Sequence, residues 1–329
     1  MSDPFNYSFG WLCALLLEFE ASKKFLDEVH QGPAKSKLDP YDENLYALGR
    51  IGQQNVVIAA PPADYGFGIA CEMALNVRRS FPNITHGLLV GIGGGAPSRT
   101  ADIRLGDLVV GCPSQRGGDG GIISLRSNEV TFAQGEVSPP PPALARIANR
   151  LESEHEALGH QLERSIGEVL SHTTVLDAAR FERPDASQDR LHEAHDVHPP
   201  DESPGCSVTC GPDPEHLMER VDRGSSQTTL VHYGVIGSCN YVEKDAKARD
   251  MLSAARDILC FEMEAAGLVG VFPSLVIRGI CDYSDSHKSK EWQGHAAMVA
   301  AAYAKQVVEI VGQDDSSDPH TPCLFQEEL

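Results

Sequence analysis

The sequence predicts an α/β fold in which a central, mostly parallel sheet is flanked by helices. Three observations point there. Strand-like apolar runs alternate with helical periodicity along much of the chain, and one run in the middle of that alternation, residues 86–92, is apolar on both faces. Hydrophobic residues make up 41% of 329, enough to bury a large core.

Taken in order, residues 9–17 are short and apolar and read as a strand, and Glu18 opens a helical pattern through residue 29. Residues 46–48 and 55–59 read as a strand pair around a turn at Gly52. Residues 63–81 carry helical periodicity at Ile69, Met73, Leu75 and Val77 and stop at Pro82. The strand at 86–92 runs into a glycine turn, Gly93-Gly94-Gly95, and residues 105–110 form the next strand. Residues 113–228 differ in character, with glycines at 117–121, prolines at 139–142 and many charges. Helices are expected there at 143–158 and 215–221, and the rest reads as an insertion or mobile loop. Regular alternation resumes with strands at 230–236, 258–261 and 274–280, and helices at 243–255, 264–271 and 296–311. The organisation expected is one domain over residues 1–312 and a disordered acidic tail over 313–329, with no internal repeat.

Lys and Arg number 27 against 47 Asp and Glu, a formal net charge of −20. That balance argues against nucleic acid and anionic membrane surfaces as partners. No stretch approaches the roughly 20 apolar residues of a membrane helix. The run at residues 11–17 lacks the basic leader and cleavage site of a signal peptide. Cys13, Cys71, Cys260 and Cys281 lie in apolar segments and read as reduced core thiols, so the location expected is cytoplasmic.

Three places join a strand end to carboxylates: Glu18, the pair Glu262/Glu264 and the pair Asp282/Asp285. Among 47 acidic residues any one is by default a solvated surface group. Residues 260–267 and 275–285 stand apart because their acids interrupt core-like sequence. A buried carboxylate is costly unless paired or used. Arg278, inside an apolar strand, is the structural partner expected for Glu262.

Five motifs in one order resemble the purine nucleoside and uridine phosphorylase superfamily, which includes the methylthioadenosine/S-adenosylhomocysteine nucleosidases. They are Trp-Leu-Cys-Ala-Leu-Leu-Leu-Glu (11–18), Val-Gly-Ile-Gly-Gly-Gly-Ala-Pro (90–97), Asp-Ile-Arg-Leu-Gly-Asp (102–107), Phe-Glu-Met-Glu-Ala-Ala-Gly (261–267) and Arg-Gly-Ile-Cys-Asp-Tyr-Ser-Asp (278–285). The likeness covers about residues 7–111 and 230–311, and is nearest the phosphorylase-like domains of filamentous fungi, often found at the front of multidomain proteins. It implies a three-layer α/β/α domain with a central twisted mixed sheet, and a homodimer in which a neighbour completes the 5′ side of the sugar site. It also implies roles. Glu264 matches the carboxylate that binds ribose hydroxyls, with Met263 against the sugar. Asp282 matches the acid that serves N7 of a purine, and Glu18 the carboxylate that activates water. Ile92, Gly93, Gly94 and Cys281 would border the pocket. Val242 falls where an aromatic residue often stacks on the base.

Those roles suit N-glycosidic cleavage, in which positive charge grows on the sugar and negative charge on the leaving base. An acid at N7 eases departure, a carboxylate beside the sugar stabilises the cation, and a second carboxylate deprotonates water. Phosphorylases of the superfamily hold phosphate with arginines and a hydroxyl residue. Here those positions read Leu15-Leu-Leu-Glu18, Leu89 and Ile92. An apolar pocket beside Glu18 rejects a dianion, so hydrolysis is the expected reaction.

Residues 91–96 nearly fit a dinucleotide fingerprint, but Pro97 follows and no helix begins there. Cys206 and Cys210, with His192, His195 and His198 upstream, invite a zinc reading; the spacing is irregular, and they are read as insertion residues. Residues 287–292 are assigned to a helix or lid near the base, with Trp292 equally suited to packing. The expectation is therefore a purine nucleoside N-ribosyl hydrolase acting on adenosine, inosine or guanosine with no metal or organic cofactor. A phosphorylase with an unusual phosphate site and a non-catalytic nucleotide-sensing module are the rivals. Glu18, Glu264 and Asp282 together argue against a decayed site, and the chain shows none of the extra domains a signalling role would engage.

Overall fold

The computed structural model describes residues 2–33, 35–62, 66–125, 136–199, 206–210, 214–224, 229–241 and 244–314. Strand β1 (Phe9–Leu12) is buried throughout and leads by a short link into helix α1 (Leu16–Lys23). Strand β2 (Glu28–His30) precedes a hairpin of β3 (Leu45–Ile51) and β4 (Gln54–Ala60), whose turn places Gly52 at φ 55°. Helix α2 (Phe67–Ser80) leads to β5 (His86–Gly95), then to β6 (Leu108–Val110) and β7 (Gly121–Leu125). Helices α3 (Pro142–Leu158), α4 (Leu162–Ser171), α5 (Val175–Ala178) and the single turn α6 (Cys206–Thr209) follow. Strands β8 (Val231–Tyr233) and β9 (Val235–Cys239) come next, then helix α7 (Ala246–Arg256) and β10 (Ile258–Glu262). The short helix α8 (Ala265–Leu268), β11 (Ser274–Asp282) and the long helix α9 (Gln293–Asp314) end the described chain.

The eleven strands form one mixed sheet that forks at β5. On one side, β5 pairs in parallel with β11 from Ser274↔Gly87 to Asp282↔Gly94, and β11 continues the sheet to β6 and β8. On the other side, β1 covers β5 only as far as Leu12↔Leu89. The edge it leaves open is taken by β10, antiparallel, at Phe261↔Gly94 and Cys260↔Gly95; β10 then carries β9 and β7. Gly94 therefore lies between Phe261 and Asp282, and the ends of three strands converge on it.

Alternation along the strands builds the two covering layers. Phe9, Trp11, Leu88 and Val90 point to one face, where α1, α3, α4 and α9 pack. Leu12, Leu89, Val57 and Ala59 point to the other, against α2 and α8. Full burial of a side chain such as Leu88 stabilises the fold by about 1.5–3 kcal/mol. The three-layer α/β/α architecture with a mixed sheet is as expected.

Several boundaries differ from expectation. The strand at 86–92 continues through Gly95, so Gly93–Gly95 are strand and not a turn; none of the three has a positive φ. Helix α1 ends at Lys23 because residues 28–30 are needed as a strand against β3. The segment expected as a helix at 215–221 holds only a 3-10 turn at Pro214–His216. Residues 230–236 divide into β8 and the start of β9, which serve different arms of the fork. Within 113–228, β7 is a strand of the main sheet, and Leu144, Ile147, Leu151, Leu162 and Phe181 enter the central core. At the C-terminus α9 continues to Asp314, and the rest of the expected tail lies outside the described residues. Among the described residues no helix is long and apolar enough to cross a membrane.

Candidate active site

Glu18 is the third residue of α1, whose N-cap position holds Leu15 and so offers no side-chain acceptor. Glu18 fills that role itself. Its Oε2 accepts the N–H groups of Ala14 (2.8 Å) and Leu15 (2.9 Å), and its Oε1 accepts the Ile92 N–H from β5 (2.8 Å). The carboxylate thus ties the helix start to the sheet while keeping acceptor capacity on Oε1 for one further donor. Burial raises the Glu18 pKa above its ordinary value, opposed by Arg278 and the three N–H groups.

Arg278 sits mid-strand in β11, fully buried, opposite Gly91. A Cβ at Gly91 would collide with both Glu18 Oε1 and Arg278 Nη1, so the missing side chain is what leaves room for the two groups on either side of it. Arg278 Nη2 donates to Glu262 Oε2 and to Glu264 Oε2 (3.2 Å). Glu262 also accepts the N–H groups of Glu264 and Ala265, which spends it on structure, as expected of the partner of Arg278. Burial alone would lower the Arg278 pKa, but the carboxylates, Glu262 foremost, raise it.

Glu264 differs from Glu262. Burial pushes its pKa up to about 8, with Glu262 and Glu18 adding to the rise against Arg278. Because the folded pKa lies above the unfolded value near 4.5, the protonated group contributes stability below about pH 4.5, and that contribution is lost as pH rises toward about 8. Urea midpoints are therefore expected to fall between about pH 5 and pH 8. Glu264→Gln should flatten that slope without erasing it, since Glu18 shifts the same way.

Asp282 ends β11. Its Oδ1 accepts the Ser284 N–H (2.8 Å) and the Lys288 ammonium (2.8 Å). Ser284 adopts φ 52°, a left-handed turn that folds the chain back onto the carboxylate. A Cβ at Gly94 would strike Asp282 Oδ1 and Ser284 Oγ, which explains glycine within a strand.

These groups line one cavity of about 300 Å³. Its lining includes Glu18, Ile92, Gly93 and Gly94 together with Met263, Glu264, Cys281 and Asp282. Every expected site residue is among them except Val242, which lies outside the described residues. The structure adds Tyr241, Phe261 and Lys288. Tyr241 neighbours the position where an aromatic was sought, whereas Lys288 shows in the sequence only as one charge in a polar loop. The motif at 102–107 is structural: buried Asp107 holds Arg223 (2.8 Å) and His232 (3.1 Å), closing 113–228 back onto β6. Trp292 is buried against Gly106 and Arg183 as packing. The histidines and cysteines divide: His198, Cys206 and Cys210 gather with His287, while His195 is exposed.

An α/β/α fold with a carboxylate-lined cavity at converging strand ends is shared, at the level of fold, with several solved structures. Futalosine hydrolase of Helicobacter pylori matches with a TM-score of 0.55 and 13% identity, over 93% of this chain and 98% of that one. The 5′-methylthioadenosine/S-adenosylhomocysteine nucleosidase of the same organism, complexed with a substituted pyrrolidin-3-ol, matches at 0.56 and 13%, over 93% and 99%. The corresponding nucleosidase from Neisseria meningitidis, in complex with methylthio-immucillin-A, matches at 0.55 and 14%, over 92% and 99%. The chain shares its fold with these nucleosidases and with futalosine hydrolase. In sequence it is 40% identical over 327 residues to a nucleotide-binding leucine-rich repeat (NLR)-like protein of the fungus Hyaloscypha variabilis, covering 98% of this chain and 31% of that protein. No protein-family model matches the chain.

Proposed function

We propose that the chain is a purine nucleoside N-ribosyl hydrolase. The observation that carries this reading is the meeting of Glu18, Glu264 and Asp282, from three separate elements, around one cavity of nucleoside size. In this reading the ribose lies over Gly93–Gly94 and against Met263, with its hydroxyls on Glu264. Asp282 has its Oδ1 held by Lys288 and Ser284, and its Oδ2 accepts the Cys281 thiol (3.4 Å). It faces N7 through Oδ2 and in its protonated form passes that proton to N7 as the glycosidic bond breaks. Glu18 receives the proton of the attacking water at Oε1, and its raised pKa suits it to that task. Glu264, once ionised, faces the cationic sugar. The fold of known nucleosidases supports the reaction class, and their named substrates do not transfer by fold alone.

Water is favoured over phosphate on charge. Nη2 of the Arg278 guanidinium is held by Glu262 and Glu264, Lys288 is paired with Asp282, and the cavity lining offers the apolar Ile92 where a hydroxyl ligand for phosphate would be needed. The test is base release from inosine, guanosine and adenosine in phosphate-free buffer beside a matched phosphate reaction. Free ribose without phosphate is expected. Turnover only with phosphate, yielding ribose 1-phosphate, would overturn hydrolysis. The NLR-like relative favours a second reading, a nucleoside-binding module of a longer protein. Saturable nucleoside binding with no turnover under either condition would select it.

A further inference from the structure

We propose that His198, Cys206, Cys210 and His287 form a structural zinc site that staples His198 and the turn carrying Cys206 and Cys210 to the loop after β11. Their four ligand atoms all lie within 4.8 Å of one another. Tetrahedral zinc, with Zn–S near 2.3 Å and Zn–N near 2.0–2.1 Å, places its ligand atoms roughly 3.3–3.8 Å apart, so small side-chain adjustments close the shell. His198 Nδ1 and Cys210 Sγ are already 3.0 Å apart. Cys206 and Cys210 are four apart on one helical turn, where the Cys210 N–H bonds the Cys206 carbonyl (3.0 Å), so both thiols share a face.

His287 supplies the independent sign. Its side chain is 3% exposed, yet neither ring nitrogen has a hydrogen-bond partner, a costly state for a buried imidazole. The ring is held by stacking on His192 at 3.7 Å, and Nε2 faces the Asp196 carboxylate at 3.9 Å. A carboxylate behind a ligating histidine orients the ring and leaves Nδ1 for the metal. Asp196 is itself fixed by His192 Nδ1 (3.2 Å), so these two form an outer layer. Two thiolates and two imidazoles suit zinc, and four protein ligands leave no open position, which makes the site structural. Binding displaces the two thiol protons to solvent.

The staple bears on the cavity described above. The His198 N–H donates to Ser286 Oγ (2.9 Å), and Lys288, adjacent to His287, holds Asp282. The metal would therefore act as a positioning device for Lys288, at one remove from the cavity.

Metal content of the full chain, purified with zinc supplementation and desalted, tests this without reference to turnover. About one zinc per chain is expected, lost in Cys206→Ser/Cys210→Ser and kept in Glu18→Gln. Cobalt exchanged into the wild type should give the visible bands of a tetrahedral ion together with thiolate charge transfer, which needs no variant to fold. Chelation should lower the melting temperature and zinc restore it. Less than about a tenth of a zinc per chain after reconstitution, or an octahedral cobalt spectrum, would overturn the site. Equal zinc in the double variant, or melting indifferent to chelation, would do the same.

Discussion

Glu18→Gln is expected to lower kcat for base release by about 10²- to 10⁴-fold while KM stays within a few-fold of wild type. Gln keeps the shape of the side chain but cannot take a proton from water. It also cannot satisfy the local donors, because one end of the amide is an NH₂ group. Whichever way it turns, either the Ile92 N–H or the pair at Ala14 and Leu15 faces a donor. A stability cost of about 1–3 kcal/mol follows. Parallel melting curves will separate that cost from the loss in kcat. Activity within about tenfold of wild type would mean that another group activates the water.

Arg278→Met should produce the largest loss of stability. The substitution is similar in length but leaves Glu18, Glu262 and Glu264 buried around no cation. Breaking such a cluster on one side costs about 3–5 kcal/mol, against about 5–15 kcal/mol for a whole domain. The sign with pH is definite. Without the guanidinium the folded-state pKa values of Glu18 and Glu264 rise further, so the variant's deficit grows as pH rises and shrinks toward about pH 4.5. Urea midpoints of both proteins across that range will show it. A variant that matches wild type at neutral pH would mean that the guanidinium does not stabilise the carboxylates around it.

Much of the cavity was legible in the sequence because acids within apolar strands are expensive and therefore conspicuous. Glu18, Glu262, Glu264 and Asp282 stood out on that ground, and Arg278 as the partner of Glu262 followed from it. The glycines at 93–95 were misplaced for a physical reason: a glycine run ordinarily answers to backbone conformation, and here Gly94 answers to Asp282 and Ser284 pressing on its Cα. That pressure exists only once β5 and β11 are side by side. Strand β7 escaped notice because its partner β9 lies far along the chain and its neighbours are charged. His287 was assigned to the base side of its loop. A one-residue step there separates Lys288, which faces Asp282, from His287, which faces the cysteines, and composition does not resolve such a step.

The closed floor of the cavity has a kinetic meaning. Strand β5 is paired on both edges at Gly94 and on its β11 edge at Gly93, with buried layers behind it, so no ligand passes through that side. Traffic is confined to the sides away from the sheet, where Tyr241, Lys288, Lys290 and Gln293, none of them on a strand, belong to the lining. Residence time in the cavity is then set by side-chain and loop motion on those sides, on the nanosecond-to-microsecond scale, and not by any opening of the sheet.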